Sequence, residues 1–98
     1  MIRSTGTLTS ARASQYLQQL CKHFAHKTEV VFDAHQGQIA LRTGPVSLAA
    51  TADQLIATVT APDLETLPQA RHVIDKHLAI FAHREGFETL DWQAPVQA

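Results

Sequence analysis

The spacing between hydrophobic residues changes twice along this chain, and these changes limit the folds that the chain can adopt. From Ala13 to Phe24, within "ARASQYLQQLCKHFAH", apolar residues recur at steps of three and four. This spacing predicts a helix of about 16 residues with one apolar stripe. From Glu29 to Ala61 the spacing becomes two, in the runs "EVVFD", "QIALR", "VSLAA" and "LIATVTA". Turn residues separate these runs, so the pattern predicts four short strands in an antiparallel meander.

A second segment with helical spacing follows the meander. Its apolar stripe is predicted to contain Leu67, Ala70, Ile74, Leu78 and Phe81. Asp63 is a candidate N-cap, but Pro68 lies where it would remove a backbone donor from the second turn. The helix therefore either has a kinked first turn or begins late, with Thr66 as its cap. Gly86 is expected to end it.

The two ends of the chain are expected to add one strand each. "TGTLTS" (Thr5–Ser10) predicts a first strand, with Ser10 capping the first helix, and "FETLDWQ" (Phe87–Gln93) predicts a final strand. A single domain of residues 1–98 is expected, with an ordered core at about residues 5–93 and a loose tail at 94–98. Two helices are too few to cover both faces of a sheet. The order β-α-β-β-β-β-α-β therefore predicts an α+β two-layer sandwich, with both helices on one face of an antiparallel sheet, as in the TATA-binding-protein-like or helix-grip folds.

Composition narrows the class of function. The 98 residues carry a net charge of −1, so the chain has no basic field for a phosphate backbone, and we expect no nucleic-acid binding. We also expect no membrane span, because no apolar run approaches the roughly 18 residues that one requires. Cys21 is the only cysteine, which excludes an intramolecular disulfide and a cysteine-based zinc motif and fits a cytoplasmic location. Its place on the apolar side of a helix favours burial over nucleophilic catalysis. We expect structural roles for Cys21, Phe24, Phe81 and Trp92.

Histidines are concentrated in two similar segments. "CKHFAHK" (Cys21–Lys27) and "KHLAIFAHR" (Lys76–Arg84) both contain Phe-Ala-His followed by a basic residue. In one interpretation, the fold joins the segments into a ligand or metal site formed by His23, His26, Lys27, His77, His83 and Arg84. Two histidines on one helix are too few for a stable metal site, so this interpretation needs a third ligand from elsewhere. In the other, which explains more of the pattern, each His-basic pair lies in the last turn of a helix, where the macrodipole favours cations.

A second stripe accompanies the core stripe of the second helix. It contains Val73, His77, Ile80 and Arg84, at steps of four, three and four. Apolar residues outside a core stripe often mark a partner surface, and the central histidine would make such a contact sensitive to pH. The alternative is a broad helix face that is half-buried against a loop.

Several stretches give the chain a resemblance to a known family. They are "YLQQLCKHFAHKTEVVFD", "APDLE", "HLAIFAHRE" and "LDW". Over Thr7–Gln93 the chain resembles the bacterial Domain of Unknown Function 2218 family, and L-C-K-H-F-A-H-K is the most specific part of the likeness. Members of this family are found near, or fused to, flavin-dependent siderophore-interacting reductases, which release iron from ferric siderophores. The resemblance thus implies an accessory role in iron handling and such a reductase as partner, but it transfers no catalytic residue.

Three hypotheses of function remain open. The first is a non-enzymatic accessory or binding domain linked to iron–siderophore metabolism, expected to be a homodimer, whose histidines suit an iron chelate or a transition metal. The second is a small-ligand carrier or enzyme with an apolar pocket between helices and sheet. The third is a homodimeric interaction module in which the His/Lys clusters act only as helix C-caps. The sequence requires no cofactor and contains no phosphate-binding glycine loop, G-x-S-x-G elbow or spaced carboxylate pair, so enzymatic activity has no signature here.

Overall fold

The order of helices and strands agrees with the sequence pattern and adds one short strand at the end. The computed structural model describes residues 1–97. Its elements are β1 (Ile2–Thr9), α1 (Ala13–Ala25), β2 (Val30–Phe32), β3 (Gln36–Leu41), β4 (Gly44–Ala50), β5 (Gln54–Ala61), α2 (Leu67–Ala82), a 3-10 turn (His83–Glu85), β6 (Asp91–Trp92) and β7 (Val96–Gln97). The four-stranded meander β2–β5 is present as predicted.

All strand pairs are antiparallel, in the order β2-β3-β4-β5-β1-β6, and β7 also pairs with β1. Along β5, Leu55, Ala57 and Val59 are fully buried, while the residues between them are half-exposed. The buried residues of both helices form one core cluster with this inner face of the sheet. The α+β two-layer sandwich predicted from the sequence is therefore confirmed.

Helix α1 buries the predicted stripe together with Tyr16, which is 2% exposed. The expectation that Ser10 caps this helix is wrong, because the helix begins at Ala13 with Arg12 in the N-cap position and no side-chain cap. Ser10 instead ends the pairing of β1 with β5, since its N–H donates to the Asp53 carbonyl at 2.9 Å. Its hydroxyl accepts the Arg12 N–H at 3.0 Å, so it organises the turn before the helix.

Helix α2 begins late, which resolves the alternative that Pro68 had raised. Thr66 is the N-cap residue, and Pro68 falls in the first turn, where a missing N–H costs nothing. The Asp63 carboxylate accepts the Thr66 N–H at 2.8 Å and so orders the approach to the helix. At the other end, Gly86 has a left-handed φ of 75°, as expected of a C-terminal glycine. Phe81 was expected in the core stripe but is only half-buried; Ala82, four residues after Leu78, is the buried residue.

The C-terminal segment closes the sheet beside β1. The final strand is shorter than expected, since only Asp91–Trp92 pairs with β1. Val96–Gln97, within the segment expected to be a loose tail, also pairs with β1, while Ala98 lies outside the described residues. Trp92 packs directly on Gly6, where an added Cβ would lie 2.7 Å from a ring atom. The Asp75 carboxylate accepts the Trp92 Nε1–H at 2.9 Å, so Trp92 is fixed from both α2 and β1.

Candidate functional site

The two histidine-rich segments meet where α1 and α2 lie side by side. The ring centroids of His23 on α1 and His77 on α2 are 4.9 Å apart. The ring centroid of Phe24 lies 4.8 Å from that of His77, and the ring centroid of Phe81 lies 6.2 Å from that of His23, so aromatic side chains flank the histidine pair. We call this region the helical seam and define it by Gln19, Lys22, His23, His26, His77 and Phe81.

A shallow depression of about 320 Å³ opens at the seam, lined by all of its residues except His77. Two buried polar atoms of this lining, Gln19 Oε1 and His23 Nε2, have no hydrogen-bond partner. Gln19 and His23 are four residues apart on α1 and therefore lie on the same face of the helix. Gln19 was missed as a site residue in the sequence, although its i, i+4 spacing to His23 is visible there.

The hydrogen bonds of the two imidazoles differ. The Nδ1 of His77 lies 2.7 Å from the Val73 carbonyl oxygen, which can only accept, so Nδ1 carries the proton and donates it. In the neutral ring the lone pair is then on Nε2. Burial lowers the pKa of His23, and the nearby His77, Lys27 and His26 lower it further. His23 is therefore predominantly neutral at pH 7 and can act as a ligand or hydrogen-bond partner.

The other predicted site residues do not all join the seam. His26 is exposed and reaches the depression, whereas Lys27 is exposed beyond the end of α1. His83 and Arg84 are exposed in the 3-10 turn after α2. The His83 Nδ1 lies 3.1 Å from the Ile80 carbonyl oxygen, which is the position that a helix-capping role requires. The fold thus brings His77 and Phe81 of the second segment to the first segment, and leaves His83 and Arg84 outside the seam.

No group of three or more His, Cys, Asp or Glu side chains among residues 1–97 is arranged to hold a metal ion. The seam offers at most its imidazoles, so a metal bound there would need to bring most of its own ligands. This geometry fits a chelated metal better than a bare ion.

Cys21 lies in the core and is fully buried. Burial raises the pKa of its thiol to about 11, so the nucleophilic thiolate is scarce at neutral pH. The space facing the sulfur is closed by Gly37 on β3, where an added Cβ would lie 2.7 Å from Sγ. The environment of Cys21 is that of a small packed side chain.

The second stripe of α2 does not form one continuous exposed surface. Ile80 is 55% exposed and Arg84 is exposed, but His77 is directed toward His23 in the seam. Val73 is half-buried and borders a depression beside Arg42 in the β3–β4 turn. Burial against a loop, the alternative raised by the sequence, describes Val73, while Ile80 and Arg84 stay available for a contact.

Glu85 is a residue that the sequence did not single out. Its carboxylate accepts hydrogen bonds from the Tyr16 hydroxyl and from the Ser10 Oγ–H, the latter at 3.0 Å. Burial raises the pKa of Tyr16, and Glu85 raises it further, so the hydroxyl stays protonated as a donor. These bonds tie the end of α2 to the start of α1 and hold the two sides of the seam together. No local sequence signal predicts them, because the partners are 69 and 75 residues apart.

Fold and seam together define a small two-layer α+β domain with a histidine pair between its two helices. Over residues 5–93 the chain matches the family described as "Uncharacterized protein conserved in bacteria (DUF2218)". The match covers most of the chain, so the protein belongs to this family, as its sequence motifs had indicated.

The chain resembles a solved structure over nearly its full length. The NMR structure of PA4090 from Pseudomonas aeruginosa has a TM-score of 0.77 and 32% sequence identity, over 95% of this chain and 96% of that chain. No curated protein matches the sequence. Within residues 1–97, no helix is both long enough and apolar enough to cross a membrane.

Proposed function

We propose that this protein is a non-enzymatic accessory domain of iron–siderophore metabolism, and that the helical seam binds an iron chelate. The observation that carries the proposal is the unpartnered, buried His23 Nε2 in a residue that lines the depression; in the tautomer that carries the Nε2 proton it can donate to a chelate oxygen, whereas the neighbouring Gln19 Oε1 can only accept. A buried polar atom without a hydrogen bond costs about 1–3 kcal/mol, so a ligand that supplies a partner gains affinity.

The chemistry of the seam favours an aromatic, anionic chelate. Phe81 and His23 present rings against which an aryl group can pack, and the depression is open enough to admit one. Lys22 is exposed beside them, where its ammonium group attracts an anion, and His26 is exposed as a hydrogen-bond partner. A ferric catecholate combines aryl rings with negative charge and already saturates its metal, which agrees with the small number of protein ligands.

The redox step of iron release is assigned to a partner in this proposal. The Cys21 thiol is buried, and flavin chemistry would come from a siderophore-interacting reductase. The link to such a reductase rests on the family resemblance, and the cytoplasmic location rests on the single cysteine. The exposed Ile80 and Arg84 are proposed as the contact for a homodimer.

The test is a histidine-resolved NMR titration of the full chain with a gallium(III) catecholate, a diamagnetic stand-in for the ferric complex. The ring signals of His23, His77 and His26 are expected to shift together and to saturate. His23→Gln should abolish the coordinated shift because it removes one ring of the pair, whereas the matched control His83→Gln should leave it intact. Gallium citrate, which lacks aryl rings, serves as the ligand control.

Two results would refute this function. One is a set of histidine signals that stays unchanged at millimolar chelate while the protein remains folded. The other is an equal response of the His23→Gln and His83→Gln variants, which would place the binding outside the seam. In either case the histidine segments would be left with structural roles at helix ends.

A further inference from the structure

The outer edge of the sheet carries a second surface, unrelated to the seam. Strand β2 is the last in the sheet order, so no strand lies beyond it among the described residues. At its two ends the Ala40 N–H donates to the Glu29 carbonyl at 3.1 Å, and the Asp33 N–H donates to the Gln36 carbonyl at 2.9 Å. Antiparallel pairing alternates, so Glu29, Val31 and Asp33 direct their backbone groups toward β3.

The same alternation turns the backbone of the two intervening residues outward. Val30 and Phe32 lie opposite Ile39 and Gly37 in the register of the pair, at positions that exchange no ladder hydrogen bonds. Their N–H and C=O groups therefore face the free edge, and each is available to an incoming strand. Their side chains pack against the core, which fixes these backbone groups in place.

The exposed side chains of β2 indicate which side chains a complementary incoming strand would have. Val31 is 76% exposed, the highest value among the large hydrophobic residues that stand out at the surface. It borders two depressions, of about 290 Å³ and 170 Å³, on the uncovered face of the sheet. Glu29 and Asp33 flank it two residues away on either side, and both are exposed.

The charge of Asp33 is fixed in position. Its Oδ1 accepts the backbone N–H groups of His35 and Gln36, each at 2.8 Å. These hydrogen bonds hold the carboxylate beside the end of β2 and favour its ionised form. Acids at both ends of a short edge strand also act against self-association. In an antiparallel pair of two copies centred on Val31, Glu29 of one copy would face Asp33 of the other, and like charges directly opposite are destabilising.

We propose that the free edge of β2 binds an extended segment of another protein in which two basic residues flank an apolar one, each two positions apart. The apolar side chain would pack beside Val31, and the basic residues would face Glu29 and Asp33. Backbone hydrogen bonds to Val30 and Phe32 would supply the sequence-independent part of the affinity, as in other cases of strand addition.

The test uses the full chain labelled with 15N and a ten-residue synthetic peptide centred on Lys-Thr-Val-Thr-Arg. The charge-reversed peptide Glu-Thr-Val-Thr-Glu and a peptide with proline in place of both threonines, which lie opposite Val30 and Phe32, serve as ligand controls. Amide shifts and hydrogen exchange report the site. The Val30 and Phe32 amides are expected to exchange rapidly in the free protein and slowly with the basic peptide, while the Val31 amide is protected in both.

Two substitutions and one control variant separate the apolar contribution to peptide binding from the charged contribution. Val31→Thr keeps a β-branched residue and removes an apolar contact, and should weaken binding about tenfold, since burying a valine-sized side chain is worth roughly one such factor. Val96→Thr, the same change at an exposed residue of β7 beside β1, should leave binding unchanged. Glu29→Lys should abolish the preference for the basic peptide over its charge-reversed form.

Three results would overturn the proposal. The first is no protection of Val30 and Phe32 at millimolar basic peptide, and the second is equal binding of the two charged peptides. The third is protection of these two amides that rises with protein concentration without any peptide, which would make a second copy of the chain the occupant.

Discussion

The contact between Cys21 and Gly37 allows a sharp test of whether the cysteine is a packing element. A Cβ added at Gly37 would lie 2.7 Å from the Cys21 sulfur but 3.4 Å from Phe32 Cβ and 3.6 Å from Leu17 Cδ2. The sulfur is thus the one severe obstacle, and it is fully buried under α1. Gly37→Ala should therefore destabilise the protein by about 1–3 kcal/mol, the usual cost of overpacking a core. For a domain of this size that corresponds to a fall in Tm of roughly 4–8 °C per kcal/mol.

Removing the sulfur should reverse the effect of the added methyl group. Cys21→Ala alone should cost about 1 kcal/mol, because it leaves a small void. In that background Gly37→Ala fills the void and restricts the unfolded chain, so it should be neutral or stabilising by about 0.5 kcal/mol. The two substitutions should then show a coupling energy of about 1–3.5 kcal/mol in a double-mutant cycle.

Equilibrium urea unfolding of the four proteins measures this cycle. Gly86→Ala is the control: its Cβ would meet no atom within 4 Å, but its φ of 75° makes any side chain unfavourable. It should cost about 1 kcal/mol and be additive with Cys21→Ala. If Gly37→Ala and Cys21→Ala prove additive to within about 0.5 kcal/mol, the packing account of Cys21 is refuted.

Three further predictions concern the seam and the closing strand. The pKa of His23 lies below its unfolded value of 6.5, so the unfolded state binds more protons than the folded state. The free energy of unfolding should therefore decrease as the pH falls below 6.5 toward the folded pKa. In denaturant titrations His23→Phe should reduce this decrease, and an unchanged dependence of the unfolding free energy on pH would contradict the prediction. Gly6→Ala should lower the free energy of unfolding by about 1–3 kcal/mol, because its Cβ would lie 2.7 Å from the Trp92 ring and 3.0 Å from Leu90 Cβ. A thermal stability equal to that of the wild type would be incompatible with this packing. Asp75→Ala should cost about 2–3 kcal/mol by removing the acceptor for Trp92 Nε1–H, and the emission of this single tryptophan should shift to the red; unchanged fluorescence would speak against the anchor.

Local patterns were sufficient for most of the fold. The alternation of Leu55, Ala57 and Val59 with Ile56, Thr58 and Thr60 identifies β5 as a strand, because the two-residue period of a strand is visible in adjacent residues. The same patterns could not choose between Phe81 and Ala82 for the last core position of α2. Both are apolar and lie three or four residues after Leu78, and the choice depends on how closely the helix approaches the sheet. The smaller Ala82 is buried, and Phe81 is left at the seam.

Hydrogen bonds between residues far apart in the sequence could not be predicted from local patterns. The Ser10 hydroxyl was assigned to a helix cap because serine before a helical segment commonly has that role. Its actual partners include Glu85, which lies 75 positions away and is brought close only by the packing of both helices. Nothing in the residues around Ser10 distinguishes these outcomes. The hydrogen bond between Trp92 and Asp75 is equally invisible in the sequence, because it forms only when β6 pairs with β1 and brings Trp92 close to α2.

The meeting of His23 and His77, by contrast, follows from a rule that a sequence can supply once the layers are known. Each histidine comes three residues after a fully buried residue, Leu20 on α1 and Ile74 on α2, and therefore lies on the flank of its core stripe. Two helices that lie side by side on one sheet must contact each other along these flanks, whereas outer-face residues such as His83 face solvent. Flank positions are apolar in most two-layer domains, since they are half-buried. A pair of imidazoles there is costly to desolvate, and the unpartnered Nε2 of His23 adds to the cost. Packing alone gives no reason for this choice of residues, and this supports the binding function that we propose for the seam.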